Sequence, residues 1–250
     1  MKHIEAIGFD LFNTLITVDP QALKQALTRL LGSLADDGIE VDPKAYIKSH
    51  KDAVFKYIKE SRKDGRETHN RFWISAALKA QGYNVSPEDP RIASAVELYF
   101  SAFYDFSRRI PGTRRMLEAV NGKYRVGLLS NFTHPPAAVK ILETVGLSSY
   151  FETILISGDL GYRKPHPLVF ERLIEAMGGD PDKILYVGDD PEPDIAGALQ
   201  AGIQPVWTTY VRDHGLPLAP GIQYSDGDSP PADVPRISTW DDFIALLDEP

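Results

Sequence analysis

Residues 4–16 read Ile4-Glu5-Ala6-Ile7-Gly8-Phe9-Asp10-Leu11-Phe12-Asn13-Thr14-Leu15-Ile16. Ile4, Ala6, Ile7 and Phe9 give an apolar run of strand character, and the run ends in a carboxylate, Asp10. A charge placed just past an interior strand is costly unless it has a partner or a task.

Working outward, the same pattern recurs. Apolar runs occupy Tyr124–Ser130, Phe151–Ser157, Lys183–Asp189 and Gln204–Tyr210, with helix-length segments between them. Near-continuous apolar strands alternating with helices imply a parallel sheet covered on both faces. The fold class expected is therefore α/β, a Rossmann-like parallel sheet with helices on both faces. Residues 19–109 read differently. Leu23, Leu27, Leu30, Leu31 and Leu34 recur at helical spacing, as do Ala53, Val54, Tyr57 and Ile58. Phe72, Trp73, Ala76 and Ala77 mark a third helix, and Ile92, Val96, Tyr99, Phe100 and Phe103 a fourth. No strand is legible there. The expectation is an all-helical cap domain, residues 19–109, inserted into a core made of residues 1–18 and 110–250. A Pro/Gly/Asp-rich loop, about Asp213 to Pro235, precedes a short helix from Thr239 to Leu247 that Ser238 or Thr239 would cap.

Composition narrows the function. A chain of 250 residues with 43% hydrophobic residues can bury a sizeable core. No run of eighteen or more apolar residues exists, so no membrane span or membrane partner is expected. The first residues lack a basic region followed by an apolar stretch, so no secretion signal is expected. The chain has no cysteine, which excludes thiolate chemistry and fits a reducing cytoplasm. A formal net charge of −8 argues against nucleic acid as a partner. A small anion remains admissible where local cations or helix N-termini overcome that field.

The polar residues at the run ends carry the chemistry. Asp10 ends the first run and Ser130 with Asn131 the second. Lys164 follows the third across Gly158–Arg163, and Asp189 with Asp190 end the fourth. Ligands of open parallel sheets bind at the carboxyl ends of the strands, so these groups are aimed at one crevice. Asp10 can serve as a nucleophile. Asp10 with Asp189 makes an oxygen-rich pocket suited to Mg²⁺. Ser130 and Lys164 offer donors to an anion, and Pro135, at an early helical position, starts a helix beside them.

Those residues together resemble the haloacid dehalogenase superfamily of aspartate-nucleophile hydrolases, which are mostly phosphatases. The family's first motif, D-x-D-x-[T/V], is matched by Asp10 to Thr14, its second by Ser130, and its third by Lys164. The fourth is matched by Gly188-Asp189 with Asp194. The Asp19–Arg109 insertion is similar to the family's helical cap. The resemblance implies that Asp10 attacks phosphorus and that Mg²⁺ is held by Asp10, the Phe12 backbone carbonyl and Asp189. It also implies that Thr14, Ser130 and Lys164 complete the catalytic set, and that the substrate is a small phosphorylated metabolite held by Ser130, Asn131 and Lys164. Asp190 and Asp194 would act behind these, Asp194 by fixing a water or Lys164. Thr14 is expected to orient Asp10. The oligomeric state is left as monomer or homodimer.

One position departs from the pattern. The family's phosphatases carry a second Asp where this chain has Phe12, and that Asp protonates the leaving group and activates water. Such acid–base help is worth roughly 10²–10⁴-fold. The superfamily's 2-haloacid dehalogenases also lack it and work without metal, whereas the acidic fourth motif is of the phosphatase kind. Three readings follow: a phosphatase with an altered acid–base step, a 2-haloacid dehalogenase, and a non-hydrolytic member that binds a phosphorylated ligand or a protein.

Other residues have plainer readings. Asn131 serves either substrate or turn. Asp190 shares metal binding or caps a helix, and Glu192 and Arg163 are surface. The charged stretch Glu60–Arg71 is a solvated helix end from which Arg62, Lys63, Arg66, His69 or Arg71 could reach an anion. Phe100, Phe103, Tyr104 and Phe106 are cap core. The six histidines lack metal-ligand spacing.

Overall fold

The computed structural model describes residues 3–220 and 229–248. Residues 221–228 of the Pro/Gly/Asp-rich stretch therefore lie outside the described residues. In chain order the elements begin with β1 (Ala6–Phe9), β2 (Ile16–Val18), α1 (Gln21–Asp36), α2 (Pro43–Asp64), α3 (Asn70–Ala80) and α4 (Pro90–Phe106). They continue with β3 (Ser107–Arg109), α5 (Thr113–Val120), β4 (Arg125–Ser130), α6 (Pro135–Thr144), β5 (Thr153–Ile156), α7 (Ser157–Leu160) and α8 (Pro167–Ala176). Then come β6 (Ile184–Gly188), a π-helical turn (Pro191–Ala196) running into α9 (Gly197–Gln200), β7 (Gln204–Thr208), α10 (Tyr210–Asp213), β8 (Arg236–Ile237) and α11 (Trp240–Asp248).

Six strands form one sheet in the order β5-β4-β1-β6-β7-β8, and every pairing is parallel. The chain starts in the middle, builds outward through β4 and β5, then returns to β6 on the other side of β1. The order reverses at β1, and such switch points leave a crevice at the strands' carboxyl ends. Successive side chains of a strand face opposite ways. Ile7, Phe9, Val126, Leu128, Leu185 and Val187 accordingly join one apolar cluster, while Ala6, Leu129, Ile184 and Tyr186 join a second with Leu173 and Met177 of the α8 region. Burial on both faces explains why these strands read as continuous apolar runs.

The helical insertion stands between β2 and β3, as α1 against α4 and α2 against α3. One correction applies to the all-helical reading. β2 and β3 form a two-stranded antiparallel ribbon, Ile16 opposite Arg109 and Val18 opposite Ser107, at the root of the insertion. Three residues with two arginines are too short and polar for an alternating pattern to show. The helix faces also shift from the leucine count. On α1 the buried stripe is Ala22, Ala26, Leu30, Ser33 and Leu34, and Leu23 is exposed. At the C-terminus Thr239 and Asp242 bond each other's backbone N–H ahead of α11, a reciprocal cap. Among the described residues no helix is long and apolar enough to cross a membrane.

Candidate active site

Asp10 follows β1 directly. Its backbone N–H donates to the Val187 carbonyl (2.9 Å), which extends the sheet by one residue and fixes the carboxylate above the strand end. From there the site assembles around Lys164. The Lys164 ammonium lies 2.6 Å from Asp10 Oδ1, 2.6 Å from Asp194 Oδ1, 2.8 Å from the Tyr186 hydroxyl and 3.0 Å from the Leu129 carbonyl. All these side chains are buried, Lys164 at 3% exposure. Burial by itself would lower the Lys164 ammonium, but Asp10 and Asp194 beside it hold it well above the ordinary lysine value. Burial raises Asp10 to about 6 even though Lys164 pulls it down. Asp190 is raised to about 7, first by burial and then by Asp194.

Asp194 is fully engaged. Its Oδ2 accepts the backbone N–H groups of Asp189 (3.1 Å) and Asp190 (3.0 Å), while Oδ1 takes Lys164. Gly188 makes this possible, because a Cβ there would lie 2.4 Å from the Asp194 side chain. The π-helical turn then carries Asp194 back under its own strand. Thr14 corrects an expectation. Its hydroxyl donates to Asp189 Oδ1 (3.1 Å) rather than orienting Asp10, so the first loop steadies the fourth motif's carboxylate. Trp207 Nε1 donates to the Asp189 carbonyl (3.0 Å) from the neighbouring strand.

Asn131 is also placed otherwise than as a plain substrate contact. Its Oδ1 accepts the Lys164 N–H (2.7 Å) and its Nδ2 donates to the Lys164 carbonyl (3.0 Å). It pins the lysine's backbone, in keeping with its turn reading. Ser130 is different. Its hydroxyl is buried without a hydrogen-bond partner at the edge of the cavity. A buried orphan hydroxyl is costly and calls for a ligand. Phe12 does not supply an acid or base. Its ring is buried and stacked on Phe132 with centroids 5.1 Å apart.

Ligand atoms of Asp10, Asp189 and Asp194 lie within 4.8 Å of one another, all buried. Three carboxylates face one ammonium, so negative charge stays in excess. That donor set fits a hard divalent cation such as Mg²⁺, which takes one or two carboxylates. Asp10 and Asp189 are the better placed ligands, since both oxygens of Asp194 are already in use.

The cavity above these groups has a volume of about 300 Å³. Helical residues Ile58, Ser61 and Arg62 line it from one side, and Arg163, His166, Asp190 and Glu192 join the core residues on the other. Arg163 and Glu192 thus belong to the cavity rather than to plain surface. The insertion is fastened beside it. Glu67 N–H donates to the Gly161 carbonyl (3.0 Å), and Arg163 N–H to the Gly65 carbonyl (2.8 Å). Ser157 Oγ donates to Glu67 Oε2 (2.6 Å) and accepts the Phe132 N–H (2.8 Å). Gly65 ends α2 in the left-handed region (φ 71°) and leaves no room for a Cβ against His166, which would stand 2.8 Å away. Tyr186, Glu67 and Ser157 escaped the sequence reading. Tyr186 alone gave a signal, a phenol in an otherwise apolar interior strand, where its hydroxyl needs a partner.

A family model described as haloacid dehalogenase-like hydrolase matches residues 4–202. The chain belongs to this family of hydrolases. Among curated relatives of this haloacid dehalogenase-like chain, it is 27% identical to the glyceraldehyde 3-phosphate phosphatase of Pyrococcus furiosus over 87% of this chain and 86% of that protein. It is 32% identical to the pyrimidine 5'-nucleotidase YjjG of Escherichia coli K12, over 50% of this chain and 56% of that protein. Its fold matches the crystal structure of a 2-haloacid dehalogenase from Pseudomonas syringae pv. tomato DC3000, with a TM-score of 0.73, 22% identity and 98% of each chain covered.

Proposed function

We propose that this haloacid dehalogenase-like hydrolase is a Mg²⁺-dependent phosphatase of small phosphate monoesters. The observation that carries it is the excess of buried carboxylate over ammonium at the sheet's carboxyl edge. Attack on a carbon–halogen bond without metal gives that excess no use. A phosphoryl dianion brought here without a counter-cation would be repelled.

In this reading Asp10 attacks phosphorus and forms an aspartyl-phosphate as the bond from phosphorus to the ester oxygen breaks. The alcohol leaves with a proton taken from solvent water, and water then cleaves the aspartyl-phosphate to inorganic phosphate and frees Asp10. The Lys164 ammonium holds Asp10 ready and donates toward the phosphoryl oxygens. The orphan Ser130 hydroxyl turns its proton to the same oxygens. Asp10, the Phe12 carbonyl and Asp189 would hold Mg²⁺, which when bound supplies positive charge to those oxygens. Thr14 and Trp207 fix Asp189, Asn131 fixes the Lys164 backbone, and Asp194 fixes Lys164 itself. Residues 19–109 act as the cap over a core of residues 1–18 and 110–250, closing the cavity against water. The ring of Phe12 leaves the acid–base step weakened. The absence of cysteine fits a cytoplasmic enzyme, and the substrate is a small phosphorylated metabolite.

Phe12 is the one observation that favours a second reading, a 2-haloacid dehalogenase in which Asp10 attacks carbon and forms an ester. A single assay separates the two. A broad panel of phosphate monoesters with Mg²⁺ is expected to yield inorganic phosphate, lost on adding EDTA and lost in Asp10→Asn. Halide release from 2-haloacids that persists in EDTA, with no phosphate release, would overturn the phosphatase reading.

A further inference from the structure

The cavity's polar wall is asymmetric. Asp10, Asp189, Glu192 and Asp194 bring negative charge, and the Lys164 ammonium is held at the reacting end by Asp10 and Asp194. Two guanidinium groups remain. Arg62 comes from the last turn of α2, and among the described residues it has no hydrogen-bond or ion-pair partner. Arg163 comes from the loop before Lys164, and its Nη1 stands 3.7 Å from Glu67 Oε1, too far for a hydrogen bond. That Glu67 carboxylate is already engaged by the Ser157 hydroxyl and the Thr68 N–H. Lys63 stands at the same end of α2 but does not line the cavity. A basic helix end is ordinarily explained by the helix dipole, and that account covers Lys63 and Arg62 alike. It does not account for one of them opening into the site.

The phosphoryl end of the cavity already has its donors in Ser130 and Lys164. A cavity of about 300 Å³ is at the small end for ligand sites, so it admits a phosphoryl group and a short carbon tail. A chain with net charge −8 repels a multiply charged anion unless local cations meet it. We propose that Arg62, with Arg163, binds a second anionic group on the substrate, so that the enzyme prefers short phosphate monoesters bearing a carboxylate or a second phosphate. Arg62 is then a specificity residue supplied by the insertion. The planar guanidinium suits either anion through paired N–H donors. This inference rests on the phosphatase reading of the same site.

The test uses three substrates of one carbon count with Mg²⁺: 3-phosphoglycerate, propane-1,3-diol bisphosphate and glycerol 3-phosphate. The wild-type protein is expected to favour at least one of the first two over glycerol 3-phosphate by about tenfold in kcat/KM, the scale of one charge-assisted hydrogen bond. Arg62→Met is expected to erase that preference through KM, whereas Lys63→Met keeps it. The carboxylate and bisphosphate arms tell which anion the site takes. Equal kcat/KM for all three substrates overturns the inference. So does an Arg62→Met that weakens all three alike, which would mean that Arg62 holds the reacting phosphoryl group. If no monoester of any kind is hydrolysed, the phosphatase reading fails separately. Thermal stabilisation then decides on the second anion. A larger shift with 3-phosphoglycerate than with glycerol 3-phosphate, lost in Arg62→Met, supports it, and equal shifts overturn it. Arg62 is exposed, so its replacement is not expected to disturb folding.

Discussion

Asp194 spends one oxygen on Lys164 and the other on two backbone N–H groups, and the whole arrangement depends on a missing methyl group at Gly188. Gly188→Ala puts a Cβ where the Asp194 carboxyl now lies. The predicted result is a loss of roughly 1–3 kcal/mol of stability, the usual scale for overpacking, together with a severe loss of turnover, because Lys164 loses its anchor. Thermal melts and phosphate release measure both. A variant that matches the wild type in both would show that Asp194 does not hold the lysine. Asp10, Ser130 and Asp189 stand out in sequence because polar residues at the ends of apolar runs have few reasons to be there. Lys164 stands out as the cation one loop past the third run, and Asp194 stands out only through the family resemblance. The partners of Thr14 and Asn131 do not stand out. A hydroxyl or amide finds its bond by geometry across strands, Thr14 reaching a residue 175 positions away, and spacing does not encode that. Phe12 could be read as a missing acid, but its stacking on Phe132 depends on a loop from β4 that comes close only in the folded chain.

At the scale of elements, the junction between insertion and core is aromatic and imidazole-rich. Phe12 stacks on Phe132, which meets Phe100 of α4 at 5.0 Å, and Phe100 stacks on His134 at 5.1 Å. His134 in turn links His69 (3.1 Å) at the start of α3 with Glu97 (2.8 Å) of α4. Phe100 and Phe103, expected as interior to the helical block, thus also make its seam with the core. Strands and helices were legible from periodicity, and four helix starts carry a shared signal, a polar residue followed by proline at 42–43, 89–90, 134–135 and 166–167. The β2–β3 ribbon was not legible, since its pairing joins residues separated by the whole insertion.

α2 also carries a buried histidine with a definite pH consequence. His50 is 5% exposed between the Tyr46 and Tyr99 rings. Burial lowers it from 6.5 to about 4. A histidine kept neutral by the fold contributes stability that is present above its unfolded value and declines as pH falls from 6.5 toward 4. Relative to His50→Phe, the wild type is predicted to lose up to about 3 kcal/mol across that window. His69, lowered to about 4 by burial, His134 and Arg71, acts in the same direction, while Asp10 and Asp190, both raised, act in the opposite one. The comparison of two chains isolates His50, and denaturant melts at several pH values read it. Parallel stability curves for the two would contradict the assignment.

Across the whole molecule, the sheet order explains why residues scattered from 10 to 194 meet. β1 is the switch point, β4 and β6 flank it, and the loops after these strands and before α8 all open on one edge. The insertion leaves after β1 and returns before β4, so its α2 end falls over that edge and lines the cavity. Chain order and apolar runs carried this much of the architecture in the sequence. The side chains proposed to choose a substrate were not singled out there: Arg62 was one of several cations in the charged stretch Glu60–Arg71, and Arg163, beside Lys164, read as surface.

If this is a Mg²⁺-dependent aspartyl-phosphate enzyme, Asp10 becomes phosphorylated with a divalent cation's help. The direct measurement is to mix the protein with Mg²⁺ and a hydrolysed monoester, quench in acid within the first turnover, and locate the added phosphoryl group by mass spectrometry of the digested chain. The phosphoryl group is expected on the peptide carrying Asp10, absent with EDTA and absent in Asp10→Asn. A phosphoryl group on another residue, or turnover that continues in EDTA with an unmodified Asp10, would contradict it.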